Sequence, residues 1–403
     1  MASDELYKLA VEYNKQKLWY NMDADQLFGV RLADGRIAYC SVLGRHGGDS
    51  YALAVYVDRE GLDCLRHSEI NFEMDITDNE AFMLKVSQSC LRLILAEKDD
   101  LTEEELKAEK DFSKRNKIYF RAKYSHPRFM KFKPLCTARQ ITDIEDEKIL
   151  MQAISAAIEV SKKFPDSLPR NIQFLDRIPV RRKFPLLTLE GENYKWTMEF
   201  FPPFRRVKYP VAKLSAEHLQ KLSAAKKVGD YCCEIFILPK TAYVEEENVS
   251  KFPVTLVVYD QTKNRDIEMD YALDYLTKPE ILTAEVARTF LAEGVPEKIF
   301  VRNERTYYFL EKFCEQVGIE LLDAEDLQDI DIQEEDIMRE LKIESLSDDE
   351  YIIQLLDLVE NMPAEELKRT LDQELKDLLE ELYNDDILTE EMDAKIEKIL
   401  FDD

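Results

Sequence analysis

Apolar residues near the start of the chain recur three and four positions apart. Leu6, Leu9, Ala10 and Tyr13 form a stripe that Trp19 closes, so residues 3–20 are expected to be helical. The period then falls to two. The runs QLFGVRLAD, RIAYCSVLG and YALAVYVD alternate apolar and polar positions and are separated by Asp34-Gly35 and Gly47-Gly48. Asp34-Gly35 is the strongest short-range hairpin signal in the chain, so the first two runs are expected to pair across it. REGLDCLRHSE returns to helical spacing and completes a small helix-strand-strand-strand-helix module.

Residues 79–116 carry an apolar stretch, CLRLILAE, and a charged helix, TEEELKAEKDFSKR. A long helix is expected over residues 143–164: Ile149, Leu150, Ala153, Ile154, Ala157, Ile158 and Val160 share one side, and Lys162-Lys163 suit the negative end of the helix dipole. Prolines and aromatics from Pro165 to Pro210 predict irregular strands such as FPLLTLE and YKWTMEFF.

A second pattern begins at Tyr231. CCEIFILP, FPVTLVVYDQ and RDIEMDYAL are strand candidates, followed by two helix-plus-strand units whose Gly294 and Gly318 fall where a helix C-cap glycine belongs. Three strands followed by alternating helices and parallel strands predict an open mixed sheet covered by helices. Near the end, Leu367, Leu371, Leu375, Leu378 and Leu382 make an apolar stripe on one of three helices expected there. The chain is therefore expected to be α+β: an N-terminal module over residues 1–111, a basic connecting region over 112–230, a mixed-sheet module over 231–330 and an acidic helical tail over 331–403.

Charge separates the tail from the body. The chain of 403 residues carries a net −27, but residues 323–403 hold 30 Asp and Glu against 7 Lys and Arg, leaving residues 1–322 at −4. Residues 112–142 contain no acid and nine bases: Lys114, Arg115, Lys117, Arg121, Lys123, Arg128, Lys131, Lys133 and Arg139. Tyr119, Phe120, Tyr124, Phe129 and Phe132 are interleaved with them, a composition that tracks phosphates and stacks bases in single-strand binders. The competing expectation is a structural segment whose aromatics pack on a core.

No basic start with an apolar run marks a signal peptide, and no 18 apolar residues follow one another, so a cytoplasmic protein without a membrane partner is expected. The seven cysteines, mostly in apolar contexts and without a CxxC pair, suit reduced buried thiols. Neighbours on a strand face opposite ways, so Cys232 and Cys233 cannot both serve one substrate.

The run LFGVRLADGRIAYCSVLGRHGGDSYALAVYVDREGL, the segment YFRAKYSHPRFMKFKPL leading into EDEKILMQAISAAIEV, and VTLVVYDQTKNRDIEMDYAL through GVPEKIFVRNERTYYFLEKFCEQVGIELL resemble uncharacterised bacterial proteins that pair two domains of unknown function. The likeness covers roughly residues 1–325, and its second domain looks RNase H-like. RNase H-like nucleases place one Asp at the end of the first strand and another carboxylate beside it at the end of the fourth, to hold two metal ions. In this chain Asp260, ending FPVTLVVYD, is the candidate metal ligand, with Glu304 and Glu325 as catalytic partners and Asp326 or Asp329 as alternatives for the third. Asn303 stands where a second Asp belongs, and an amide lacks the carboxylate's charge.

The Gly44–Gly48 run lacks the Lys-Ser/Thr of a phosphate loop and is expected to be a strand connection. Two functions remain. The leading expectation is a non-catalytic binding or regulatory protein without cofactor, whose acidic tail masks its own basic segment or meets a protein partner, and which nucleic acid can engage when the tail is displaced. The alternative is an RNase H-like nuclease using magnesium or manganese.

Overall fold

A computed structural model describes residues 2–44, 51–72, 78–164, 182–191, 193–203, 205 and 208–344. The chain divides into a unit Met1–Ile330 and a unit Asp331–Asp403. The three tail helices and the Gly47-Gly48 turn fall mostly or wholly outside the described residues.

The first sheet has eight strands. After helix α1 (Asp4–Gln16) come β1 (Phe28–Arg31), β2 (Ile37–Leu43) and β3 (Tyr51–Val57), then α2 (Asp58–Phe72), α3 (Asp78–Val86), β4 (Cys90–Ala96), α4 (Glu103–Asn116), β5 (His126–Phe132), β6 (Arg139–Gln140), α5 (Ile144–Lys163), β7 (Lys183–Glu190) and β8 (Asn193–Phe200). Their order across the sheet is β6-β5-β4-β3-β2-β1-β7-β8. β1 and β2 form the expected hairpin, with Gly35 at φ 89° in its turn. The first helix is shorter than its apolar stripe, because Lys17 takes a left-handed φ of 48° and only a short 3₁₀ turn, Leu18–Tyr20, follows.

Strand alternation sorts the side chains into two cores. Ala38, Cys40, Val42, Leu53 and Val55 face α1 and α5, while Tyr39, Ala54 and Tyr56 meet Leu62 and Leu65 of α2 on the other side. α4 is held by a capping box, Thr102 with Glu105, and sends Phe112 into the first core, where its ring stacks on Tyr7 at 4.7 Å. Gly29 of β1 lies under the Phe184 ring of β7, with no room for a Cβ.

Residues 112–230, expected to be a connecting region, are instead divided: the described part through Phe200 completes this sheet, while Ala212 and Leu222 join the second core. The first part supplies β5 to β8 and the covering α5. The pairing that ties it in is β1 with β7, parallel and more than 150 residues apart, which no local turn signal announces.

The second sheet follows α6 (Ala216–Ala224). Its elements are β9 (Asp230–Ile237), the small hairpin β10 (Ala242–Val244) and β11 (Val249–Lys251), β12 (Val254–Asp260), β13 (Arg265–Ile267), α7 (Pro279–Glu293), β14 (Lys298–Val301), α8 (Glu304–Val317) and β15 (Glu320–Asp323), before α9 (Gln328–Glu344). Five of these strands lie in the order β13-β12-β9-β14-β15. β9, β12 and β13 run antiparallel in turn, and β14 and β15 run parallel to β9. Gly294 and Gly318 end α7 and α8 as expected, both at positive φ. The chain is an α+β protein. Phe252 donates its amide to Leu135 at 2.9 Å and its ring meets Phe82 at 5.4 Å, so the segments around the two sheets are in contact.

No helix among the described residues is long and apolar enough to cross a membrane. All seven cysteines are free, five of them buried, and burial pushes the Cys232 thiol up to about 11. Cys233 lies in the apolar core beside α8, whereas Cys232 faces the other way.

Candidate functional site

β9 and β14 pair only from Asp230–Cys232 against Lys298–Phe300. Beyond Cys232 the pairing stops, because β14 ends at Val301 while β9 runs on to Ile237, and the sheet opens past the C-terminal end of β14, the place where open α/β sheets form crevices. Backbone groups of β9 that a neighbouring strand would satisfy find side chains instead. Ile235 donates its N–H to Thr306 Oγ1 at 2.9 Å, and its carbonyl accepts from Asn79 Nδ2 at 3.2 Å. Asn79 Oδ1 also accepts from the Ile237 N–H at 3.4 Å, so α3 of the first sheet closes this opening.

Glu234 lies at the centre of the opening with 0% of its surface exposed. Arg302, immediately after β14, donates Nε to Glu234 Oε2 at 2.5 Å, and Asn303 donates Nδ2 to Oε1 at 2.9 Å. Asn303 has a second task as N-cap of α8, its Oδ1 accepting from the Thr306 N–H at 2.9 Å. Burial raises the Glu234 carboxyl above its ordinary range, Arg302 opposes that rise, and the nearby Glu80 reinforces it. Arg305, on the first turn of α8, sits among Tyr275, Tyr209, Glu80 and Glu234, and desolvation lowers its pKa.

The residues proposed from sequence do not converge. Asp260 ends the second strand of this sheet, not the first, and pairs across from Tyr231 near the start of β9. Tyr231 is in register with Ile299, so Asp260 and Asn303 are about 13 Å apart along the strand direction alone, against about 4 Å between the ions of a two-metal centre. Glu304, Glu325 and Asp326 follow β14 and β15 at the opposite end of the sheet from Asp260, whereas Asp329, on α9, acts electrostatically on Cys232 and Tyr259. Asp260 is itself a turn residue held through one oxygen, while its buried Oδ2 has an ion-pair contact but no hydrogen bond among the described residues. Its Oδ1 accepts from the N–H groups of Thr262 and Lys263 at 3.1 and 3.0 Å, and its Oδ2 lies 3.1 Å from Lys263 Nζ. Among the described residues no three His, Cys, Asp or Glu side chains are grouped to hold a metal ion.

The basic run is distributed over α4, a loop, β5 and β6, and four of its nine bases meet acids of the same unit. Arg115 pairs with Asp4 at 2.6 Å, Lys123 with Glu97 at 3.0 Å, Arg128 with the buried Glu105 at 3.0 Å, and Lys131 with Asp146. Its aromatics turn inward: Phe120 meets Phe112 and Tyr7, Phe129 meets Tyr7, and Tyr124 meets Tyr51. Tyr119 remains exposed, with the Arg121 guanidinium 5.7 Å from its ring centre. Lys114, Lys117, Lys133 and Arg139 complete the set without converging on one surface element.

Glu234 escaped the reading of the sequence. The signal was present, since a lone acid inside the apolar run CCEIFIL demands a buried cation, but the partner follows 68 residues later and nothing local points to it.

Residues 4–177 match the model of Domain of unknown function (DUF7309), and residues 216–338 that of Domain of unknown function (DUF6930). No curated protein matches the chain. The two matches take in the first sheet through α5 and the second sheet entire, and the chain belongs to the proteins that pair these two domains of unknown function.

Proposed function

We propose that the chain is a non-catalytic binding or regulatory protein, in which the second domain has an RNase H-like ancestry but no metal chemistry. The strand order β13-β12-β9-β14-β15, with three antiparallel strands followed by two parallel ones, supports that ancestry. In such a sheet the first strand, here β9, carries the leading carboxylate. The observation that carries the proposal is that this position holds Glu234, and both its oxygens are spent on Arg302 and Asn303. A guanidinium neutralises the carboxylate as a metal cation would, and with the Asn303 amide it occupies an acceptor site on each oxygen, so a divalent ion would have to displace both. What the arrangement does supply is rigidity, because it locks β9, the start of α8 and α3 together.

Internal pairing of Arg115, Lys123, Arg128 and Lys131 favours a protein partner over nucleic acid, since a phosphate backbone would have to displace acids already in place. The test is incubation of the full chain with labelled single- and double-stranded DNA and RNA, with magnesium or manganese, at low and moderate salt. Intact substrates and no saturable binding support the proposal. Metal-dependent cleavage abolished by Asp260→Ala would instead establish the nuclease.

A further inference from the structure

β8 is an edge strand. Its inner side pairs with β7 from Asn193 opposite Glu190 to Phe200 opposite Lys183, and among the described residues no strand pairs with its outer side. An eight-residue edge with a free row of N–H and C=O groups is a template for another strand, and proteins ordinarily guard such edges with proline, bulges or short length. No proline or bulge interrupts residues 193–200, whose charged side chains are Lys195 and Glu199, and the edge also presents apolar surface. Tyr194, Trp196, Met198 and Phe200 alternate onto the face that α5 covers. The cover reaches Trp196, which meets Phe164 at 5.7 Å, but leaves Met198 55% and Phe200 51% exposed at the end of the strand that lies opposite Pro185 and Lys183 of β7. The opposite face of β8 carries Lys195, whose exposed ammonium also reaches Glu190 at 3.1 Å, with Thr197 and Glu199.

We propose that β8 pairs with β8 of a second copy of this chain, antiparallel about a two-fold axis through Thr197, to make one continuous sheet. The strand's own sequence selects this occupant and this register. With Thr197 opposite Thr197, Lys195 falls opposite Glu199 and Glu199 opposite Lys195, so both charged pairs are complementary. The same axis sets Tyr194 against Phe200 and Trp196 against Met198, which covers the exposed pair with aromatic rings. An axis through a residue also keeps the alternation of outward N–H and C=O groups in step between the two copies. Shifting the axis by one residue to Trp196 or Met198 leaves Lys195 opposite Thr197 or Glu199 opposite Thr197, and loses the charge match. An isologous interface of this kind needs one patch only, which closes on itself and goes no further.

The test is the mass of the full chain by sedimentation equilibrium across a wide concentration range. A dimer is expected. Lys195→Glu and Glu199→Lys each place like charges opposite one another twice, and each weakens the dimer by roughly tenfold. The double variant with both changes restores the pairing, a recovery that unfolding or general loss of surface charge would not give. Both side chains are exposed, and far-ultraviolet circular dichroism reports whether the single variants remain folded. A monomeric wild-type chain throughout the range overturns the proposal. So does a dimer unmoved by the single changes, or one the double change fails to restore.

Discussion

Arg302 closes on Glu234 across the opening between β9 and β14, so a fully buried carboxylate and a guanidinium from the neighbouring strand end satisfy one another. Taking both ions from water costs several kcal/mol, which only good geometry and further hydrogen bonds offset, and Asn303 supplies one of these. Removing one partner leaves the other buried and uncompensated. Glu234→Ala or Arg302→Ala is therefore expected to cost about 3–5 kcal/mol in urea unfolding, and the double variant Glu234→Leu/Arg302→Met much less than the sum.

The same carboxyl gives stability a pH dependence. Burial raises Glu234 above the ordinary glutamate range, with Arg302 and Asn303 opposing and Glu80 adding to the rise. A raised carboxyl binds its proton more tightly in the folded chain than in the unfolded one. Its contribution is thus complete below about pH 4.3 and is lost as pH climbs through the folded value. Glu109, raised chiefly by burial beside His126, acts with the same sign. Unfolding free energies measured from pH 4 upward should show a shallower fall with pH in Glu234→Gln than in the wild type.

Asp260 is read here as the acceptor for a turn and the partner of Lys263. Asp260→Asn keeps an oxygen for the Thr262 and Lys263 N–H groups and should be nearly neutral. Asp260→Ala orphans them and should cost about 1–3 kcal/mol. Neither variant should alter the response of the melting temperature to millimolar magnesium or manganese. A metal-dependent stabilisation present in the wild type and absent in Asp260→Ala would contradict this reading.

Gly29 is fixed by what lies over it, not by its backbone angles. A Cβ there would enter the Phe184 ring, so Gly29→Val is expected to destabilise by about 1–3 kcal/mol or more. Adding Phe184→Leu should recover part of the loss, and a thermal melt of the three variants measures that coupling.

Phe112 stacks on Tyr7 and closes the first core from a segment whose sequence suggested base stacking. Phe112→Ala should cost about 3–5 kcal/mol in stability without changing nucleic-acid affinity, where a stacking surface would show the reverse.

Local signals determined much of this protein. The Asp34-Gly35 hairpin, the acidic start and basic end of α5, the glycine ends of α7 and α8, and the three-strand then helix-strand order of the second sheet all follow from period, caps and turn residues. Each depends on residues a few positions apart, where the chain's own geometry carries the information. Tertiary structure decided the rest. Only folding brings β7 beside β1, which draws the first part of the presumed connecting region into the first sheet. Only the antiparallel sense of β12 sends Asp260 to the far end from Asn303, and only the early end of β14 beside the longer β9 places Arg302 against Glu234. The physical reason is that a buried charge must find its partner in space, and the chain imposes no spacing in sequence on where that partner lies.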